Sequence, residues 1–440
     1  MTLPYYPTTW LPLWWEWNEV NLRMWNQILR DLAAQRYGSH IFSAWLRLSA
    51  SAWQAWNRIL APWMEPQTCT LALNEVMEHY LATYQTSSKI GQVSVGESLC
   101  TRDAHERNKQ IGTGLPPGIG QTPRTLLWRK NKAQLYRYNH VVEAARGYRT
   151  PLLMVYALIN KPYILDMLPG RSFIEYLVKH GVDVYLLDWG TPDPEERRLR
   201  FDDLVMEYLP QAIQQVLKTS SADHLNLFGY CIGGILITLY AATHLNAPLS
   251  SIVLLATPLD FSHAGILGTW LAPCSFDVDK LVDTMGNVPP DFIRSGASLL
   301  HVVGAPAMFQ ESVEDERFLE VWSALSVWGM DGVPFPGEAF RQWIKDFYQG
   351  NKLITNHFML AGQCVHLSAI TTPIMSIAAE SDHLIPLQQI KPTLQAVSSS
   401  EKELFILPGS HFGLVTSPRA VKELWPRVVN WLAKHSLAEV

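Results

Sequence analysis

The chain has 440 residues, 48% of them apolar, and a formal charge of −5. That is enough for one large catalytic domain with an appendage, or for two domains, with a sizeable buried core; no basic excess points to nucleic acid. Five scattered cysteines (Cys69, Cys100, Cys231, Cys274 and Cys364) include no CxxC pair, which argues against a disulfide framework or a zinc site and fits a reducing cytosol.

The first 17 residues lack a basic n-region and a small-residue cleavage site, so no signal peptide is expected. No charge-free run of about 20 apolar residues predicts a transmembrane helix. Nine of the 17 tryptophans precede residue 64. Residues 1–16 carry three prolines among aromatics and read as an extended arm. Helical periodicity follows over Trp17–Arg36, His40–Leu60 and Thr70–Thr83, making residues 1–84 a tryptophan-rich helical appendage. Its apolar faces either pack on the main domain or form a surface for a partner, a membrane boundary or a hydrophobic product. Residues 85–122 are polar and glycine-rich, a linker with a loop over Gly112–Gly120.

Trp128–Tyr138 alternates and predicts an antiparallel strand. From Thr150 the pattern becomes strand, loop, helix. Strands are expected at Leu152–Tyr156, Val182–Leu187, Leu225–Phe228 and Ile252–Leu255, and helices at Ser172–His180, Asp202–Lys218 and Ile235–His244. Apolar strands alternating with helices indicate a mainly parallel sheet covered on both faces. Residues 262–368 interrupt the rhythm and are long enough for a cap. A strand at Ile374–Ala378, a helix starting at Leu387–Leu394, a strand at Leu404–Leu407 and a closing helix at Pro418–His435 then resume it.

Between the strand ending at Phe228 and the following helix lies Gly229-Tyr230-Cys231-Ile232-Gly233-Gly234. Gly-x-Cys-x-Gly is the pattern of a nucleophile elbow, a strained strand-to-helix turn that pushes one side chain out. On an α/β-hydrolase fold the acid and the histidine follow the nucleophile, on loops after late strands. Asp382 follows the strand Ile374–Ala378, and His411 follows Leu404–Leu407. A neighbouring imidazole raises the thiolate fraction of a cysteine, and a carboxylate holds that imidazole in the right tautomer. The bland readings are a packed cysteine, a helix-capping aspartate and an ordinary loop histidine; three residues in the right order and context favour the triad. His383 is a rival base whose place beside the acid suits loop orientation better. The backbone N–H of Ile232 and the loop Ala157–Tyr163, with Asn160, are the candidates for binding an oxyanion. No metal or cofactor is expected.

These residues resemble the polyhydroxyalkanoate synthases, cysteine-dependent enzymes that polymerise hydroxyacyl-CoA thioesters. The likeness extends to Val155–Tyr163, Asp183–Gly190, Thr257–Phe261, Gly286–Pro289, the run from Asp346 to Leu353 and Asp382–Pro386, and spans roughly residues 120–435. The body is most similar to the shorter synthases that work with a second subunit (class III, with class IV as relatives), whereas Tyr230 is more like the long single-subunit class. The resemblance implies an α/β-hydrolase catalytic domain over 123–440 with a cap at about 262–368. It implies Cys231 as acyl carrier, His411 as base, Asp382 as its partner, and polymerisation of (R)-3-hydroxyacyl-CoA with CoA as leaving group. It further implies a cytoplasmic enzyme at a polyester granule, whose partners are the growing polyester and a second subunit, a second copy of the chain or the granule surface. A thioesterase or depolymerase with the same triad and a non-catalytic granule protein are the alternatives. Two features depart from the family: Ser410 stands where glycine usually precedes the histidine, and the first 84 residues have no counterpart in the short synthases.

Overall fold

Trp128–Tyr138 reads as a single alternating strand, but the chain turns within it and residues 124–138 fold as two strands. In the computed structural model, which describes residues 118–138, 148–294, 296–297 and 317–436, β1 (Arg124–Lys130) and β2 (Ala133–Tyr138) are antiparallel neighbours. The chain reverses at Asn131, whose φ of 50° is a left-handed conformation that asparagine tolerates. The predicted arm, the three N-terminal helices and the linker as far as residue 117 lie outside the described residues.

The strand–helix rhythm from Thr150 yields β3 (Leu152–Val155), β4 (Val184–Asp188), β5 (Leu225–Tyr230), β6 (Leu249–Leu255), β7 (Ile374–Ala379) and β8 (Lys402–Leu407). The eight-stranded sheet runs β1-β2-β4-β3-β5-β6-β7-β8. β2 is antiparallel to β1 and to β4, and all other pairs are parallel. This is the α/β-hydrolase architecture. Every residue of β3, β5 and β7 is buried, as expected for strands with both faces covered. Asn226 inside β5 is tolerated because its Oδ1 accepts from Ser251 Oγ at 2.7 Å, and that hydroxyl accepts from Trp431 Nε1 at 3.1 Å.

The helices that cover the sheet match their sequence signals closely. In α1 (Phe173–Lys179) Ser172 caps the N-terminus by accepting from the Glu175 N–H. α2 (Leu209–Ser220) is preceded by a π-helical turn at Leu204–Tyr208, and α3 (Ile232–Thr243) is almost wholly buried. The helix expected from Leu387 splits into Leu387–Ile390 and Thr393–Ala396 because Pro392 cannot continue it.

The long excursion leaves the sheet after Leu255 and returns at Ile374, directly beside Ile252 in register. It can therefore vary without disturbing strand order. Its described parts include a helix at Val278–Met285, α4 (Phe318–Met330), and a helix at Gly337–Gln342 that runs into a π-helical turn at Trp343–Gln349. Among the described residues no helix is long and apolar enough to cross a membrane.

Candidate active site

The elbow is built by contact as well as by pattern. Cys231 has φ 55° and ψ −118°, a strained conformation for a non-glycine residue. Its N–H donates to the Leu255 carbonyl at 2.9 Å, which ties the turn to β6. The flanking glycines leave no room for a side chain. A Cβ on Gly233 would sit 2.1 Å from the Val155 carbonyl oxygen, and one on Gly234 would sit 1.8 Å from Thr257 Oγ1. The helix can thus press onto β3 and the end of β6, leaving Cys231 half-buried at the sheet's carboxyl edge. Ile232 opens α3, and the N–H groups of a first helical turn have no acceptor within the helix.

Asp382 and His411 converge on this cysteine from the loops after β7 and β8. Asp382 Oδ1 accepts from the N–H groups of Leu384 and Ile385 at 2.9 and 2.8 Å, which fixes the carboxylate plane. Its Oδ2 meets His411 Nδ1 at 2.7 Å, with both side chains almost wholly buried. Cys231 lies close enough to the imidazole to favour its charged form. Burial opposes charge on His411, but the Asp382 carboxylate and Cys231 outweigh it and raise the pKa to about 10. His383, on the same loop as the acid, is half-buried.

Asn160 has a left-handed backbone (φ 60°), and its side-chain oxygen faces Gly332 of the excursion, 3.3 Å from where a Cβ would stand. With Tyr156, Trp189 and Val333 it lines a small cavity. The loop touches the elbow itself upstream of Asn160, where Val155 and Tyr156 abut Gly233. The excursion holds this loop down: Trp328 Nε1 donates to the Lys161 carbonyl at 2.7 Å, Asp331 pairs with Lys161 Nζ at 2.7 Å, and Tyr163 donates to Asp331 at 3.1 Å. Trp328 also packs edge-on against Phe412, the residue after His411.

Sequence reasoning missed three aromatic residues here. Tyr230 stacks on His411 at 5.1 Å and donates its hydroxyl to the His411 carbonyl at 3.1 Å. Tyr156 lies against Tyr230. Tyr348, from the π-helical turn of the excursion, reaches the electrostatic neighbourhood of both Cys231 and Asp382. Tyr230 alone had a local signal, as the residue before the elbow cysteine. Ser410, the unusual residue before His411, uses its hydroxyl to accept from the Gly413 N–H at 3.2 Å. Among the described residues no group of three or more His, Cys, Asp or Glu is arranged to hold a metal.

The family description "alpha/beta hydrolase fold" matches residues 150–292, and "Poly-beta-hydroxybutyrate polymerase (PhaC) N-terminus" matches residues 75–177. The PhaC subunit of the poly(3-hydroxyalkanoate) polymerase of Allochromatium vinosum is 33% identical over 359 residues, covering 77% of this chain and 98% of that one. The chain belongs to the poly(3-hydroxyalkanoate) polymerase family. The corresponding subunit of Haloferax mediterranei is 37% identical over 72% of this chain and 65% of its own length. Both polymerase relatives are named as subunits. Among solved structures, a soluble variant of monoglyceride lipase from Saccharomyces cerevisiae covers 73% of this chain and 98% of its own, with a TM-score of 0.47 and 13% identity.

Proposed function

We propose that the chain polymerises (R)-3-hydroxyacyl-CoA into polyester, with Cys231 carrying the acyl group, His411 moving the proton and Asp382 orienting it. One observation carries this reading: a cysteine in a strained elbow, beside a buried histidine that is itself paired with an aspartate. The Cys231 thiolate attacks the thioester carbonyl, the carbon–sulfur bond to CoA breaks, and the CoA sulfur takes a proton from the His411 imidazolium. Acylation consumes the thiolate, one of the charges that keeps the proton on His411. The imidazole therefore becomes easier to deprotonate when it must donate, and it is left neutral for the next step. It then takes the proton of the incoming hydroxyl, whose oxygen attacks the acyl–enzyme. An ester forms, and the thiolate returns beside an imidazolium. The Ile232 N–H and the Ala157–Tyr163 loop, with Asn160, would receive the developing oxyanion, and His383 would serve the loop rather than the proton.

In this reading CoA is a leaving group and no resident cofactor or metal takes part. We assign residues 123–440 to the catalytic domain and 262–368 to its cap. The subunit naming of the relatives supports a second subunit as partner, and the granule surface is where a hydrophobic product would hold the enzyme. Incubation with 3-hydroxybutyryl-CoA tests the function. Polymer with matching CoA release is expected; free hydroxy acid in equal amount to CoA would make the chain a thioesterase instead.

A further inference from the structure

The excursion positions Tyr348 with more anchoring than packing alone requires. Its backbone lies in the π-helical turn Trp343–Gln349, a distortion frequent at functional sites. On one side Gln349 donates from Nε2 to the Leu271 carbonyl at 2.9 Å. On the other, Asn351 accepts from the Phe261 N–H at 2.8 Å and donates to Asp260 at 2.9 Å. The Tyr348 ring is wedged edge-on between Phe261 and Trp343. Asp260 and Phe261 follow Thr257, which itself touches the elbow at Gly234. Tyr348 is thereby fixed relative to Cys231 by a short chain of contacts.

The hydroxyl at the end of this support is unused. Among the described residues the Tyr348 hydroxyl has no hydrogen-bond partner, and neither has the hydroxyl of Tyr156, whose backbone abuts the elbow at Gly233. Neither oxygen is among the sealed, unpartnered polar atoms such as Trp343 Nε1 and Trp425 Nε1, so each opens onto space. By contrast, Tyr230 is engaged with the His411 carbonyl and Asp382 through both oxygens. Burial, with the charges of Cys231 nearby and, for Tyr348, Asp382, holds both phenols protonated and hence able to donate.

We infer that Tyr348 and Tyr156 donate hydrogen bonds to the 3-oxygen of the acyl group on Cys231, and so select 3-hydroxyacyl over plain acyl thioesters. This inference rests on the proposed role of Cys231. The carbonyl oxygen of the bound acyl group has the elbow N–H available, and the 3-oxygen is the other polar atom of a 3-hydroxyacyl group. It is a hydroxyl in a fresh monomer and an ester oxygen in a chain, and it can accept a hydrogen bond in both. A site that provides partners for a substrate oxygen also rejects an analogue lacking it, because its own donors are then left unpaired.

The test compares single-turnover CoA release from 3-hydroxybutyryl-CoA and from butyryl-CoA, in the full chain and in its Tyr348→Phe and Tyr156→Phe variants. Phenylalanine keeps the ring packing, and Tyr156→Phe provides a second reading if Tyr348→Phe fails to fold. The ratio of the two rates is expected to fall by about tenfold for each variant. An equal loss on both thioesters would assign the tyrosines to packing or to the oxyanion and overturn the inference, as would an unchanged ratio. Absence of CoA release from either thioester by the unaltered chain would overturn the reading of Cys231 first, and this one with it.

Discussion

Replacing Asp382 by asparagine keeps its shape and removes its charge, and the surrounding bonds decide the consequence. Oδ1 is held by the Leu384 and Ile385 N–H groups. An asparagine must keep its carbonyl oxygen there and turn its NH2 toward His411 Nδ1. A donor facing Nδ1 requires that nitrogen to be unprotonated, so a neutral ring must carry its proton on the nitrogen that faces Cys231. It then can no longer take a proton from the substrate hydroxyl. The charge balance moves the same way. His411 is raised from 6.5 to about 10 against the penalty of burial, and Asp382 is the leading favourable cause. That corresponds to roughly 5 kcal/mol of preference for the imidazolium, most of which Asp382→Asn forfeits. The same exchange in a serine triad costs about 10⁴ in kcat through the wrong tautomer. CoA release from 3-hydroxybutyryl-CoA is therefore expected to fall by about 10³–10⁴. Alkylation of Cys231 by iodoacetamide at neutral pH should slow in parallel, because the thiolate loses its imidazolium. It must be measured on the Cys231 peptide, since Cys274 and Cys364 are exposed free thiols. A variant that keeps CoA release within about tenfold of the parent, and alkylates at the parent's rate, would refute the assignment of Asp382.

Four other outcomes follow from the same contacts. The folded pKa of His411 lies above its ordinary 6.5, so its contribution to stability is complete below about 6.5 and is lost as pH rises through about 10; the melting temperature of the parent should drop more across that window than that of Asp382→Asn. Tyr230→Phe leaves the buried His411 carbonyl without its 3.1 Å donor and should cost about 1–2 kcal/mol in urea unfolding. Gly234→Ala forces a Cβ to 1.8 Å from Thr257 Oγ1 and should cost about 3 kcal/mol or more, with Thr257→Ala giving only partial rescue, because the Thr257 Cβ would still be 2.7 Å away. Ser410→Gly loses one hydrogen bond to the Gly413 N–H and should cost about 1 kcal/mol in unfolding while CoA release is retained.

What was legible in the sequence was local. The elbow glycines are demanded by contacts within a few residues of the turn, and Asp382 and His411 follow strands whose apolar runs are plain, so chain order alone nominated them and the structure brings them to Cys231. The turn at Asn131 was illegible because Asn131-Lys132 lacks the glycine that marks most hairpins. The apolar run Leu387–Leu394 reads as one helix, but Pro392 within it divides the segment into two short turns. Tyr348 had no local signal. It comes within electrostatic reach of Cys231 from far along the chain, positioned by Asn351, Gln349 and Phe261, and such an approach is a property of tertiary packing rather than of any motif.

A hydrolase and a polymerase can share one elbow, one histidine and one aspartate, so the difference between them has to lie in what reaches the acyl–sulfur bond. Here His411 and Asp382 are almost sealed from solvent. Trp328 packs on Phe412, its indole and Asp331 fasten the loop after β3, and Tyr348 comes within electrostatic reach of Cys231 from the same excursion. Each of these covering groups comes from the segment between β6 and β7, which can change without altering the strand order. Water excluded from such a site cannot compete for the acyl group, whereas a hydroxyl delivered on the substrate is already inside. In our reading, cysteine complements this arrangement, because exchange of one thioester for another is close to isoenergetic and stores the acyl group at little loss until the alcohol arrives. In that reading the fold supplies the nucleophile, and the excursion decides which acceptor it serves.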